Sequence, residues 1–148
     1  MIGGNHESER SIVKLSLCIQ TKQINVRVID NLLRFPRSYH SACLFDSVKT
    51  QNGRVKGPFI IITGGASKGG RMTCERFSVK NGDIKPLPSL LADRKSHVSC
   101  AFSRRYVYVY GGQRDDIMLS SIERLDLLQL KKGWTLIETR DHLLQASH

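Results

Sequence analysis

The sequence predicts an all-β chain of four-stranded antiparallel β-propeller blades arranged as an incomplete ring. Three recurring marks predict it. The first is an apolar run closing in a glycine pair, at Phe59 to Gly65 and again at Tyr106 to Gly112, with Gly64 and Gly111 47 positions apart. The second is a short segment following each pair, Thr73 to Val79 and Ser121 to Leu127, matched in character position by position. The third is Arg followed three residues later by His, at Arg37/His40 and Arg94/His97, each with Cys at +6 and Phe at +8 from the Arg. One such mark is common in any protein. Three in one order and in register identify an internal repeat, and a period near fifty residues holding four short strands is that of a blade.

Taken in order, residues 1–36 form an incomplete first repeat, with Gly3-Gly4 followed by Ser11 to Leu17 as a third copy of the second mark. Residues 37–93 are the second repeat. It is longer than the third because of an insertion over 46–58, whose Asn52-Gly53 and Gly57-Pro58 predict a surface loop. Its run Phe59 to Ile62 is continuously apolar, the pattern of a strand covered on both faces, and is predicted to be among the least exposed. Residues 94–139 are the third repeat, with strands predicted over 97–102, 106–110, 121–127 and 134–137. Within it, alternation sets Leu125 and Leu127 on one face. Residues 140–148 are a polar tail in which Arg140 marks the start of a further unit.

The order Arg-x-x-His, apolar run with Gly-Gly, Glu-Arg-apolar-Asp and then Trp resembles the kelch repeat, most fully from Arg94 to Trp134. The middle unit carries Ile84 where the Trp is expected, and the first has Val13 in place of the Glu. The resemblance implies that Gly64, Gly65, Gly111 and Gly112 end strands near a propeller axis, where residues without Cβ let the chain turn sharply. It also implies that Arg37, Arg94, Glu75, Glu123 and Trp134 pack or pair between strands and blades. Closed propellers have about four to eight blades. About three are encoded here, so the chain is expected to be a piece of a longer protein, to self-associate and complete its ring, or to stand as an open wedge with exposed edges.

For function, the resemblance implies a protein–protein interaction module that binds another protein through loops at one end of the propeller. The implied binding positions are Ala66, Ser67 and Lys68 after one glycine pair, Gln113 and Arg114 after the other, and Tyr39 and Ser96 beside the repeated arginines. The same residues also fit plain solvated loop. Composition agrees with a folded soluble domain: 40% hydrophobic, 24% charged, among 148 residues. A formal net charge of +10 favours acidic partners. The cations nonetheless fall in ones and twos with no basic helix, and charge alone carries no code for nucleic acid. The tyrosine-rich strand Tyr106, Tyr108, Tyr110 could stack on bases, although packing against a neighbouring blade is its commoner fate.

An enzyme is the third reading, because some kelch-like propellers house copper or sugar chemistry. No such constellation stands out. His40 and His97 are explained by repetition, Asp115-Asp116 reads as a turn, and no phosphate loop or Ser-His-Asp order is present. The chain is therefore expected to be neither an enzyme nor a cofactor or metal binder. Cys18, Cys43, Cys74 and Cys100 are widely spaced, with no Cys-x-x-Cys pair. With no signal-peptide pattern and no long apolar span, the expected setting is cytoplasmic and reducing, with free thiols and no membrane contact.

Overall fold

The computed structural model of the chain describes residues 10, 12–18, 20–29, 32–49, 55–66 and 71–137. Gly3-Gly4, Ser67, Lys68 and Arg140 lie outside them. In chain order the strands are β1 (Ile12–Cys18), β2 (Gln23–Ile29), β3 (Ser41–Phe45), β4 (Val48–Lys49), β5 (Val55–Lys56), β6 (Phe59–Thr63), β7 (Cys74–Ser78), β8 (Ile84–Leu87), β9 (Val98–Phe102), β10 (Tyr106–Tyr110), β11 (Gln113–Arg114), β12 (Ile117–Met118), β13 (Ile122–Asp126) and β14 (Trp134–Ile137). One 3-10 turn, Leu130–Lys132, precedes β14. Among the described residues no helix is long and apolar enough to cross a membrane.

Two four-stranded antiparallel sheets dominate, with orders β3-β6-β7-β8 and β9-β10-β13-β14. Their registers superimpose unit on unit. Phe77 stands opposite Ile84 in one sheet and Leu125 opposite Trp134 in the other, so Ile84 does occupy the tryptophan position. The N-terminal ladder β1-β2 pairs Ile12 with Ile29 through to Cys18 with Gln23. Within the 46–58 insertion the described residues include two short strands where a loop is predicted. Its β4 and β5 form a two-residue ladder, too short to leave a strand pattern in the sequence. The turn at Asp115-Asp116 joins β11 to β12, and Asp115 takes φ 51°.

Directly opposed residues share a face of an antiparallel pair, and each sheet therefore has two distinct faces. One carries Ile60, Ile62, Glu75 and Phe77 in the second unit and Val107, Val109, Glu123 and Leu125 in the third: the glutamate face. The other carries Cys43, Phe45, Phe59, Ile61 and Cys74 in the second and Cys100, Phe102, Tyr106, Tyr108 and Ile122 in the third: the cysteine face. The cysteine face of the second sheet packs on the glutamate face of the third. Their joint core holds Phe45, Ile61, Cys74, Leu87, Leu90, Val107, Val109, Leu125 and Trp134. The glutamate face of the second sheet packs in turn on the N-terminal unit, where Ile62 and Phe77 meet Ile12 and Leu33. This double covering buries Ile61 and Ile62 completely, as a continuously apolar strand requires.

Hydrogen bonds lock the junction between the two large sheets. Ser41 and Ser99 hydroxyls lie 2.8 Å apart, and the Ser99 N–H donates to Ser41 Oγ at 2.9 Å. Trp134 donates its Nε1–H to the Pro88 carbonyl at 2.9 Å, so its polar edge is satisfied while its rings fill the core. The third sheet's tyrosines depart from the expected packing: Val107 and Val109 take the buried face, while Tyr106 and Tyr108 are half-buried and Tyr110 is exposed on the other.

Candidate functional site

The end of the sheets that follows the glycine pairs is set from beneath by two buried ion pairs. Arg37 Nη1 donates to the carbonyls of Gly64 (3.0 Å) and Thr73 (3.1 Å), while Nη2 reaches Thr73 Oγ1 (2.9 Å) and Glu75 Oε2 (2.7 Å). Arg94 repeats this on the carbonyls of Gly111 (2.8 Å) and Ser121 (3.3 Å), on Ser121 Oγ and on Glu123. The glutamates also accept backbone N–H groups: Glu75 from Arg34, Glu123 from Leu91 and Ala92. Each pair thus ties three chain segments, and the planar guanidinium fork suits that task as no lysine could. Burial pushes the Arg37 guanidinium below its ordinary value, with Glu75 opposing.

Above these anchors the chain crosses itself closely. A Cβ on Gly65 would meet Ser38 O at 2.6 Å, and one on Gly112 would meet Lys95 O at 2.7 Å, both at positive φ. The close approach permits two matching bridges, Ser38 with Ala66 and Lys95 with Gln113. The two units are then joined by Gly65 N–H to Arg94 O (2.9 Å) and Ser96 N–H to Tyr39 O (2.7 Å). Tyr39 and Ser96, at equivalent positions, both hold positive φ, 52° and 54°, a conformation that costs non-glycine residues about 1 kcal/mol or more.

The backbone network brings Tyr39, Ala66, Ser96, Gln113 and Arg114 to one rim; Ser67 and Lys68 lie outside the described residues. Tyr39 is 58% exposed. Ala66, Gln113 and Arg114 line a cleft of about 60 Å³ together with Arg71, Asp93 and Asp115. Arg71 Nη1 reaches Asp115 Oδ1 at 3.1 Å and Asp93 Oδ2 at 3.7 Å, and Arg114 Nε lies 4.0 Å from Asp93 Oδ1. Arg71, Asp93 and Asp115 were not legible as site residues. They carry no repeat signature and converge only because the sheets stack.

The cleft on this rim is small. A space of about 60 Å³ is far below the roughly 300 Å³ at which small-molecule sites begin. A larger cavity of about 310 Å³ opens at the opposite end, lined by Phe59, Arg76, Lys80, Asn81, Asp83 and Lys85 among others. Among the described residues no group of three His, Cys, Asp or Glu is placed to hold a metal ion. His97 lies inside the sheet junction, its Nε2 2.8 Å from Thr63 Oγ1. Burial, then the charges of Arg94 and His40, lower its pKa to about 4. Tyr106 has the guanidinium groups of Arg105 and Arg124 each 4.9 Å from its ring centroid.

Compared with known proteins, the chain matches no protein-family model and no curated protein sequence.

Proposed function

We propose that the chain is a kelch-type interaction module that binds another protein through the rim carrying Tyr39, Ala66, Ser96, Gln113 and Arg114. The observation that carries this reading is the rim's construction. Candidate positions from two separate repeats converge on one end, fixed by buried Arg–Glu anchors and by backbone bonds across the junction. Loops held by a rigid scaffold are where recognition normally sits. An exposed tyrosine on the same rim as paired Arg and Asp side chains offers the mixture of apolar and charged contact found in protein interfaces. Ser67 and Lys68 extend the same loop in sequence and belong to the proposed surface.

The test is a photo-crosslinking residue placed at position 39 or 114, with position 80 at the opposite end as the control. Capture of a polypeptide from positions 39 and 114, surviving raised salt and lost in a Tyr39→Ala/Arg114→Ala background, supports the reading. Capture at position 80 alone overturns it. Capture of nucleic acid that disappears with salt replaces it by the electrostatic alternative that the net charge of +10 suggests.

A further inference from the structure

Two unlike apolar faces stand open in the described chain. The first is the cysteine face of the third sheet, where Val98, Phe102 and Tyr110 are 64%, 62% and 55% exposed. Their counterparts in the second sheet are Ser41, Phe45 and Thr63. Phe45 and Thr63 are 1% and 0% exposed, because the glutamate face of the third sheet covers them. The second open face lies on the β1-β2 ladder. Ile12, the counterpart of Cys74, is buried against the second sheet. In the β1-β2 register Ile12 opposes Ile29, so Ile24, Val26 and Val28 fall on the ladder's other face, where they are 66%, 62% and 52% exposed. That other face corresponds to the glutamate face of the larger sheets.

We infer that these two faces bind each other between copies of this chain: the open face of one copy's β1-β2 ladder docks on the cysteine face of another copy's third sheet. Three observations single out a second copy as the occupant. The same pairing, cysteine face on glutamate-type face, already occurs twice within the chain, once in each core. The described residues of each chain also leave one open face of each kind, so the complementary surface is present at equal concentration. Finally, both faces are mainly apolar: on the cysteine face Asp126 is held by Arg105 at 2.7 Å and the Arg124 cation lies over the Tyr106 ring, and Ile24, Val26 and Val28 carry no charge. The contact is heterologous, so it propagates until a ring closes or an open array forms.

The experiment measures mass by light scattering and sedimentation across a concentration series of the full chain, with Phe102→Glu and Val26→Glu as single variants. Both positions are exposed, so both variants should keep the wild-type melt; Tyr110→Lys and Val28→Lys probe the same two faces if either fails to fold. The wild type is expected to associate with concentration, and each variant alone to remain monomeric. An equimolar mixture of the two variants is expected to form a dimer and nothing larger, because one intact face of each kind remains. Alkylation of Cys100, exposed on the cysteine face, should slow on association. A wild type that is monomeric throughout, association that survives both substitutions, or a mixture that stays monomeric overturns the inference.

Discussion

Thr63 Oγ1 and His97 Nε2 meet at 2.8 Å between the two four-stranded sheets, and this buried contact makes the junction sensitive to acid. His97 has a folded pKa of about 4, lowered chiefly by burial and then by Arg94 and His40, against about 6.5 in an unfolded chain. As pH falls the unfolded state takes up the proton first. The stabilising contribution is therefore complete above about 6.5 and is lost as pH falls toward about 4, a loss of up to about 3 kcal/mol. Urea midpoints measured from pH 8 to pH 4 should fall in the wild type more steeply than in His97→Gln, which carries no proton at that position. Parallel profiles for the two proteins sink the assignment.

The paired anchors predict a large and asymmetric cost. Glu123→Gln leaves the Arg94 guanidinium, fully buried, without its counter-charge. Loss of one partner from a buried pair costs about 3–5 kcal/mol, a large part of the roughly 5–15 kcal/mol of an ordinary domain. Glu75→Gln should act similarly through Arg37. Trp134 is the single tryptophan of the chain and is buried, so its emission reports the denaturation midpoint directly. A shift of under about 1 kcal/mol for either variant would show that the pairs are less buried than their geometry states.

These anchors also show how much of the fold was legible beforehand. The resemblance implies a structural role for Arg37, Arg94, Glu75, Glu123 and Trp134, and the repeat places the strands of the third unit within a residue or so, because repetition averages out local ambiguity. The rim positions could be chosen from the resemblance, but the positive φ of Tyr39 and Ser96 could not, since neither is glycine. The exposed tyrosines were hidden for another reason. Alternating Tyr and Val in β10 says that the strand has two faces, but which face meets a neighbour depends on how whole sheets stack. The contact between Thr63 and His97 likewise joins residues 34 positions apart that share no motif.

The glycine pairs give a prediction with an internal control. At Gly112 a methyl group would meet Lys95 O at 2.7 Å and the His97 side chain, at φ +91°. At Gly82 the φ is also positive, +78°, but nothing lies within 4 Å. Gly82→Ala should cost about 1 kcal/mol, the conformational strain alone. Gly112→Ala adds a backbone collision, and a total above about 2 kcal/mol is expected, with loss of the bridge between Lys95 and Gln113. Equal effects in thermal melts would contradict the close crossing on which the rim is built.

The described thiols should separate by accessibility and acidity. Burial pushes Cys74 up to about 12 and Cys43 up to about 11, and a thiol reacts through its thiolate. Cys100 is exposed, because it lies on the sheet face that no other part of the described chain covers. Iodoacetamide labelling near pH 8, read by peptide mass spectrometry, should therefore modify Cys100 first and Cys43 much more slowly. Cys74 should react only once the chain unfolds, so its rate should follow the denaturation curve in urea. If copies associate through this face as proposed, lowering the protein concentration should speed Cys100 and leave Cys74, whose cover is the core, unchanged. Rapid labelling of Cys74 in the native state would mean that the two sheets are not packed as the joint core requires.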